Sequence, residues 1–367
     1  MKLWHIAALV IAGLVVGELA PGRLTEPFRA LTLYVFLPAL VFEAAWSLDL
    51  SVMRRHWRPI VLLAVPGVAV TATVVAAIVH FAGGVDLASA IVIGAVLSAT
   101  DPIAVVAVFR RLRVPRALAT IVESESLLND AVAIVLYRSV LAAIAAGAAA
   151  GSIGGVALSA VADSIGGLGI GVAIGAVAAL VLRGQSGLWL QSAVTFAAAY
   201  LAYALTERIG FSGIFAVIAC AVAIREIDRQ DEDVVIAGGV ERVWHVAGTS
   251  ANVVLFFLIG AAVEVGDLAT QWRAVLATLL AVFIARAILA YGLLAFAPRM
   301  ERSWKTLVRL AGIRGALSLA LALAVPGLVD RNRVIDAAFA VVIGSIVSSA
   351  LTLDRRVTLL DLGDLSS

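Results

Sequence analysis

Runs of about twenty apolar residues recur along almost the whole chain, and they limit the folds open to it. The 367 residues are 62% hydrophobic and only 14% charged, which is far more apolar than a soluble globular domain. A run of this length is typical of a helix that spans a bilayer. We therefore predict an all-α, polytopic membrane protein with about twelve transmembrane helices.

The positions of these spans follow from the apolar runs and from the charged or glycine-containing stretches between them. The first run, Leu3 to Leu19, could also be a signal peptide, but its length and the spans after it favour a transmembrane helix. The predicted spans are 3–20, 28–47, 58–82, 87–109, 117–147, 153–182, 187–206, 211–226, 236–264, 272–297, 304–328 and 334–353.

Arginine and lysine are unevenly divided between the predicted connections. Connections after even-numbered spans hold most of them, including Arg54, Arg55 and Arg58, whereas the opposite side holds few. The positive-inside rule then places both termini in the cytoplasm, with the chain crossing the cell's inner (plasma) membrane. A short cytoplasmic tail is expected after Leu353, with no regulatory or nucleotide-binding domain.

Several functional classes are disfavoured by composition. No basic stripe for nucleic acid exists outside short loops. The lone Cys220 excludes a disulfide framework and a cysteine-based metal site. We expect no nucleic-acid partner, no bound cofactor and a surface surrounded by membrane lipid.

One polar stretch interrupts the apolar pattern, from Ile121 to Arg138. Helical spacing puts Ser126 and Asp130 on one face, with Glu125 and Asn129 as a parallel pair one step round. Ionisable groups inside a membrane segment usually mark an ion or proton path, and oxygen atoms suit hard cations. We predict that Asp130 binds a monovalent cation and a proton in competition; the alternative is a polar seam between helices.

Two other spans contain breaks. In the fourth, Thr100-Asp101-Pro102 should kink or unwind the helix, and the Thr100 hydroxyl with freed carbonyls could ligate a cation. In the eleventh, Gly312 and Gly315 flank Arg314. Paired broken helices, one in each half, indicate an inverted-repeat transporter with its site at the bilayer midplane. Spans 3–5 and 10–12 would be the repeats.

Buried cations need partners, and the candidates are Arg138, Arg286 and Arg314. We predict that Arg314 lies near Glu125 and Asn129. The sequence assigns no partner to Arg138 or Arg286. Glu43 could be buried in a pair or reach the interface, and both readings stay open.

Separated motifs resemble the monovalent cation:proton antiporter-1 family, which includes bacterial NhaP proteins and animal sodium/proton exchangers. The resemblance covers nearly the whole chain. The motifs are Leu37 to Glu43, Thr100-Asp101-Pro102, Glu125 to Asp130, Asn252 to Gly260 and Gly312 to Ala320.

The resemblance implies an inverted-repeat fold of the NhaA/NhaP type, with broken helices 4 and 11 crossing. Asp130 would be the ion- and proton-binding carboxylate. Thr100, Asp101, Glu125 and Ser126 would be cation ligands or their supports, and Asn129 and Arg314 would stabilise the site. The Asn129–Asp130 pair is similar to the electroneutral branch, which exchanges one cation for one proton.

The family also forms homodimers in which a core domain moves against a dimerisation domain. Two departures stand out: Ser124 replaces a common glycine, and twelve helices instead of thirteen leave the dimer geometry open. By analogy the expected divisions are interface 1–57, core 58–147, interface 148–271, core 272–353 and tail 354–367.

The expected function is antiport of Na⁺, Li⁺ or K⁺ against H⁺ by alternating access, without enzymatic activity. The sequence leaves the preferred cation open. The main alternative is a sodium-coupled solute symporter, which would need an organic-substrate pocket near the broken helices. A channel would need repeated rings around a pore. An aspartyl protease built on Asp101 and Asp130 would lack its usual flanking sequence.

Overall fold

The computed structural model describes residues 3–19, 31–101, 105, 109, 114–147, 153–230, 236, 238–263, 265–296 and 302–359. The regular structure in these ranges is helical. The α-helices are α1 (Leu3–Leu19), α2 (Leu37–Trp46), α3 (Leu50–Arg55), α4 (Trp57–Phe81), α5 (Leu87–Val96), α6 (Arg116–Ala145), α7 (Ile153–Leu182), α8 (Leu188–Ile209), α9 (Gly213–Gln230), α10 (Gly238–Ala262), α11 (Val265–Thr270), α12 (Trp272–Ala287), α13 (Arg302–Leu310), α14 (Ala316–Leu323) and α15 (Arg331–Leu359).

Two α-helices are extended at one end by turns that are not α-helical. A π-helical turn, Thr32–Phe36, leads into α2. The end of α12 continues as a π-helical segment, Ile288–Gly292, and a 3₁₀ turn, Leu293–Phe296. The π-helical segment Ile288–Gly292 begins two residues after Arg286. Single π-helical turns within α-helices occur frequently at functional sites.

The predicted polytopic helical architecture is confirmed. Among the described residues, six stretches are long and apolar enough to cross a membrane: Trp57–Phe81, Ala117–Ala145, Leu158–Leu182, Leu188–Ile209, Gly238–Ala262 and Trp272–Phe296. The short helices α3 and α11 were not predicted, and α15 continues to Leu359, beyond the predicted end at 353. Pro102 lies outside the described residues, as does the tail from 360 onward.

The chain divides into two compact units. The first takes Met1–Arg29, Asp49–Ala145 and Val253–Ser367, and the second takes Ala30–Leu48 and Ala146–Asn252. The segments predicted as the transport core, 58–147 and 272–353, therefore lie in the first unit apart from the two residues after Ala145. Their predicted movement against a dimerisation domain stays a prediction.

In the first unit, two interrupted helices cross. Helix α5 ends at Val96, and α14 begins only at Ala316, after the non-helical stretch from Gly312 to Gly315. The backbone N–H of Asp101 donates to the carbonyl of Ile313 at 2.8 Å, which joins the two breaks directly. The crossing of broken helices predicted from the sequence is present.

The second unit is held by close backbone packing. Gly167, Gly171 and Gly175 recur every fourth residue on one face of α7, and a Cβ at any of them would collide with backbone atoms of Ser212, Ala216 or Cys220. Small residues at this spacing let transmembrane helices approach closely. The glycines therefore fix α7 against α9 and the residue that precedes it.

An aromatic stack lies in the same unit. Trp244 is stacked between Phe42 and Phe196, with ring centroids 4.1 and 3.9 Å away, and its indole N–H donates to Thr195 at 3.1 Å. The next residue of α10, His245, lies 3.1 Å from Glu43, measured from its Nδ1 to the Glu43 Oε1. This contact gives Glu43 the partner that the sequence left unassigned.

Gly94 provides a test of the packing in the first unit. A Cβ here would overlap the backbone carbonyl of Ala72 on α4. We expect Gly94→Val to lower the midpoint of thermal unfolding in detergent by several degrees, because overpacking costs about 1–3 kcal/mol. Gly169→Val is the control, since nothing lies within 4 Å of that position. Equal midpoints for the two variants would contradict the packing.

Candidate cation-binding site

The broken segment after α5 places Thr100 against the polar face of α6. Thr100 Oγ1 and Ser126 Oγ lie 3.0 Å apart and share a hydrogen bond. Asn129 Nδ2 donates to Thr100 Oγ1 at 2.6 Å, and the backbone N–H of Thr100 donates to Asn129 Oδ1 at 3.3 Å. All three side chains are buried. The unwound backbone therefore takes its hydrogen bonds from side chains of α6 instead of from its own helix.

Asp130 lies one turn beyond Ser126 on the same face of α6. Its Oδ1 atom is buried and has no hydrogen-bond partner among the described groups. The charges of Asp101, Glu125 and Arg314 act on it from nearby. A buried carboxylate oxygen without a donor is costly unless a proton or a cation occupies it. Asp130 is thus the carboxylate of this cluster with a buried oxygen left to accept a proton or a cation.

Glu125 is already neutralised. Arg286 of α12 donates from Nη1 to Glu125 Oε1 at 2.6 Å and from Nη2 to Oε2 at 3.0 Å, while its Nε donates to the carbonyl of Val308 at 3.0 Å. Glu125 is fully buried, and Arg286 is 3% exposed. This bidentate pair ties α6 to α12 and leaves Glu125 little capacity to bind a cation.

The structure gives Glu125 an ion-pair partner, Arg286, that the sequence left unassigned, and the predicted nearness of Arg314 stays a prediction. Arg314 is buried, and its three guanidinium nitrogens have no hydrogen-bond partner in the described part of the chain. It lies within range of the charges of Glu125 and Asp130 but does not bond to either. Its backbone N–H donates instead to Ser345 Oγ at 3.2 Å. Arg138, expected to be buried, is exposed on α6.

Asp101 occupies a different position from the other acids. A Cβ on Gly315 would overlap the Asp101 carboxylate, so the two residues are in close contact. Gly315 immediately precedes α14, whose N-terminus carries partial positive charge. The Asp101 carboxylate thus compensates a helix end inside the membrane. This contact lies where the two breaks meet, and the role of Asp101 as a cation ligand or a support stays a prediction.

The arrangement offers oxygen atoms and no soft ligand. Asp130 supplies a carboxylate, Thr100 and Ser126 supply hydroxyls, and the breaks expose backbone carbonyls, of which Ala99 accepts from Ser318 Oγ at 3.4 Å. Oxygen ligands of this kind suit a hard, small cation. Of the residues predicted for the site, Thr100, Ser126, Asn129 and Glu125 are joined by hydrogen bonds, and Asp130 lies one turn from Ser126 on the same helix. The sequence did not identify Arg286 as the partner of Glu125.

Comparison with known proteins agrees with this geometry. The family described as "Sodium/hydrogen exchanger, transmembrane" matches residues 1–355. The chain belongs to the sodium/hydrogen exchanger family.

Members of this family from several bacteria are similar over most of their length. The Na⁺/H⁺ antiporter ApNhaP of Aphanothece halophytica is 33% identical over 362 residues, which cover 96% of this chain and 69% of that protein. The low-affinity Na⁺/H⁺ antiporter NhaS1 of Synechocystis is 30% identical, with coverage of 98% and 70%.

The fold also matches a solved member of the family. The sodium proton antiporter MjNhaP1 from Methanocaldococcus jannaschii superimposes with a TM-score of 0.85 over 98% of this chain and 92% of that one, at 19% identity. The family consists of transporters and not of enzymes. These relatives give no support to the sodium-coupled symporter that was kept as the alternative.

The Glu125–Arg286 pair gives the first test of the site. Removing one charge of a buried pair leaves the other uncompensated, which costs about 3–5 kcal/mol. We expect Glu125→Gln and Arg286→Gln each to lower the thermal midpoint in detergent strongly, and the double variant to recover part of the loss. A double variant with the sum of the two single losses would show that the residues are not coupled.

Proposed function

We propose that this protein exchanges one monovalent cation, Na⁺ in the first place, for one proton, and that both bind at Asp130. One observation carries this assignment: Asp130 Oδ1 is buried without a donor, one turn from the Thr100–Ser126 hydroxyl pair. The relatives named above are called Na⁺/H⁺ antiporters, which supports Na⁺ as the cation. Li⁺ and K⁺ are to be compared with it in the same assay.

Exchange follows from competition at this one carboxylate. Burial disfavours the bare charge, so Asp130 is stable when it holds either a proton or a metal ion. Each ligand therefore expels the other. If the core moves across the membrane only when Asp130 is neutralised, the two fluxes are coupled without any further device.

The local charge supports an exchange ratio of one to one. Asp101, Glu125 and Asp130 carry three negative charges, and Arg286 and Arg314 carry two positive charges within the same cluster. One negative charge is left, which one proton or one monovalent cation cancels. The side chain before Asp130 is Asn129, which adds none.

The remaining assignments concern the whole assembly. We place the protein in the inner membrane with both termini in the cytoplasm, because the basic connections lie on that side. The first unit contains the cation site and would be the moving core. The second unit, with its closely packed α7 and α9, would form the interface of a homodimer surrounded by lipid.

Asp130→Asn is the direct test of the site. The amide removes the charge and the exchangeable proton with little change in shape. Proteoliposomes carrying a pH-sensitive dye should therefore show no proton flux on addition of Na⁺, Li⁺ or K⁺, whereas the wild-type protein responds to at least one of them. Asp163→Asn in α7 is the matched control and should retain wild-type flux. Full activity of Asp130→Asn would refute the site.

Electroneutral exchange predicts rates that do not depend on membrane potential. With a potassium gradient and valinomycin imposing about 100 mV, each net charge moved would contribute about 2.3 kcal/mol. We expect unchanged initial rates of Na⁺-dependent proton flux at either sign of the potential. Rates that change severalfold on reversal of the potential would overturn the one-to-one ratio while leaving Asp130 as the site.

A further inference from the structure

A cavity lined by two arginines lies in the first unit, between α12, α13 and α15. Its volume is about 220 Å³, several times the ~30 Å³ that a water molecule occupies. Arg286 and Arg309 line it together with the hydroxyl-bearing Ser345 and Ser348. The charged side chains of this lining are the two arginines, which only donate hydrogen bonds, whereas the candidate cation site is rich in oxygen acceptors.

The two arginines are in different states. Three of the five N–H groups of Arg286 already bond to Glu125 and to the carbonyl of Val308, and its charge is balanced by Glu125. Arg309 Nε is buried and has no hydrogen-bond partner, and no described acidic side chain pairs with this arginine. Arg309 is therefore the arginine of the cavity wall that keeps an unsatisfied donor, its Nε. An anion would satisfy it.

The rest of the lining is apolar and lies beside the outer surface of the helices. Leu279, Val282, Phe283, Leu310 and Val341 form this part of the wall. Phe283 is 46% exposed, as is its neighbour Ile284, and Val347 on α15 is 50% exposed. Exposed apolar side chains on membrane-spanning helices face hydrocarbon, so the cavity has a lipid-facing border as well as a cationic end.

From these observations we propose that the cavity binds an anionic phospholipid, with its phosphate on Arg309 and the start of an acyl chain along Phe283. A free phosphate would complement the charge but not the apolar wall. A zwitterionic lipid would complement the wall but would bring its own positive charge. Arg309 also lies in α13, which follows the basic connection predicted to face the cytoplasm, where anionic head groups attract arginine and lysine.

The test is a lipid titration of the purified full chain in detergent micelles, with the thermal midpoint as readout. Dioleoylphosphatidylglycerol should raise the midpoint saturably. Dioleoylphosphatidylcholine and inorganic phosphate should each raise it far less. In Arg309→Gln the apparent dissociation constant for dioleoylphosphatidylglycerol should rise at least roughly tenfold, because a charge-assisted hydrogen bond contributes about 1.5–3 kcal/mol.

Two further variants complete the design. Arg273→Gln removes the same charge from an exposed position of α12 that does not line the cavity, and it should titrate like the wild type. Arg309→Lys keeps the charge but loses the planar guanidinium that can donate two parallel hydrogen bonds to a phosphate. Its affinity for dioleoylphosphatidylglycerol should therefore fall between those of the wild type and Arg309→Gln. If Arg309→Gln does not fold, the loss in Arg309→Lys relative to Arg273→Gln decides the question.

Three results would overturn the proposal. Unchanged titration of the Arg309 variants would place the lipid elsewhere. Equal stabilisation by phosphatidylcholine would make the site one for acyl chains alone. Full stabilisation by inorganic phosphate would make the occupant a free anion. None of these results bears on transport at Asp130, because Arg309 takes no part in the cation site.

Discussion

The hydrogen bond from Asp101 N–H to the Ile313 carbonyl is the contact on which the rest of the site depends. Two helices are interrupted at membrane depth, where no solvent is available to bond the released backbone groups. Each break is satisfied by the other and by neighbouring side chains, with Ser318 reaching the carbonyl of Ala99 and Ser345 accepting from Arg314 N–H. This mutual satisfaction fixes Thr100 opposite Ser126 and Asn129. The geometry of the proposed cation site is therefore a consequence of how the breaks are stabilised, and a change in either break would move the Thr100 hydroxyl relative to Ser126 and Asn129.

The three acids of the site, Asp101, Glu125 and Asp130, differ in their partners although all are carboxylates that lie close together. Glu125 is held by both Nη atoms of Arg286 and acts as a tie between helices. Asp101 lies against Gly315 at the start of α14, where it offsets the positive end of that helix. Asp130 alone has a buried oxygen without a donor among the described groups. The proposed choice of Asp130 as the ion-binding carboxylate thus rests on the partners of the other two acids, and not on any intrinsic difference between aspartate and glutamate.

Much of this could be predicted from the sequence, and the part that could not has a clear physical reason. The spacing of Ser126 and Asp130 predicts a shared helix face, and the motif around Thr100 predicts a break, because both are local properties of the chain. The partner of Glu125 is a contact between helices. It depends on the rotation of α12 about its own axis, which no local spacing encodes. The sequence favours Arg314 because it sits in a break, whereas Arg286 sits near the end of an apolar helix with no acid within one turn. That absence of a local partner was the available signal: a membrane-buried arginine without a neighbour on its own helix must find one on another.

Arg286 links the proposed cation site to the cavity that it lines together with Arg309. With Arg286 and Arg314 set against Asp101, Glu125 and Asp130, the cluster has one positive charge fewer than negative charges, and the proposed mechanism assigns that place to the transported ion. Arg309 stands outside this balance, with its Nε buried and unpaired. Arg286 lines the cavity and at the same time holds Glu125, whereas Arg309 lines it without a described acidic partner. The Glu125–Arg286 pair is therefore the direct contact between the cavity wall and the buried cluster.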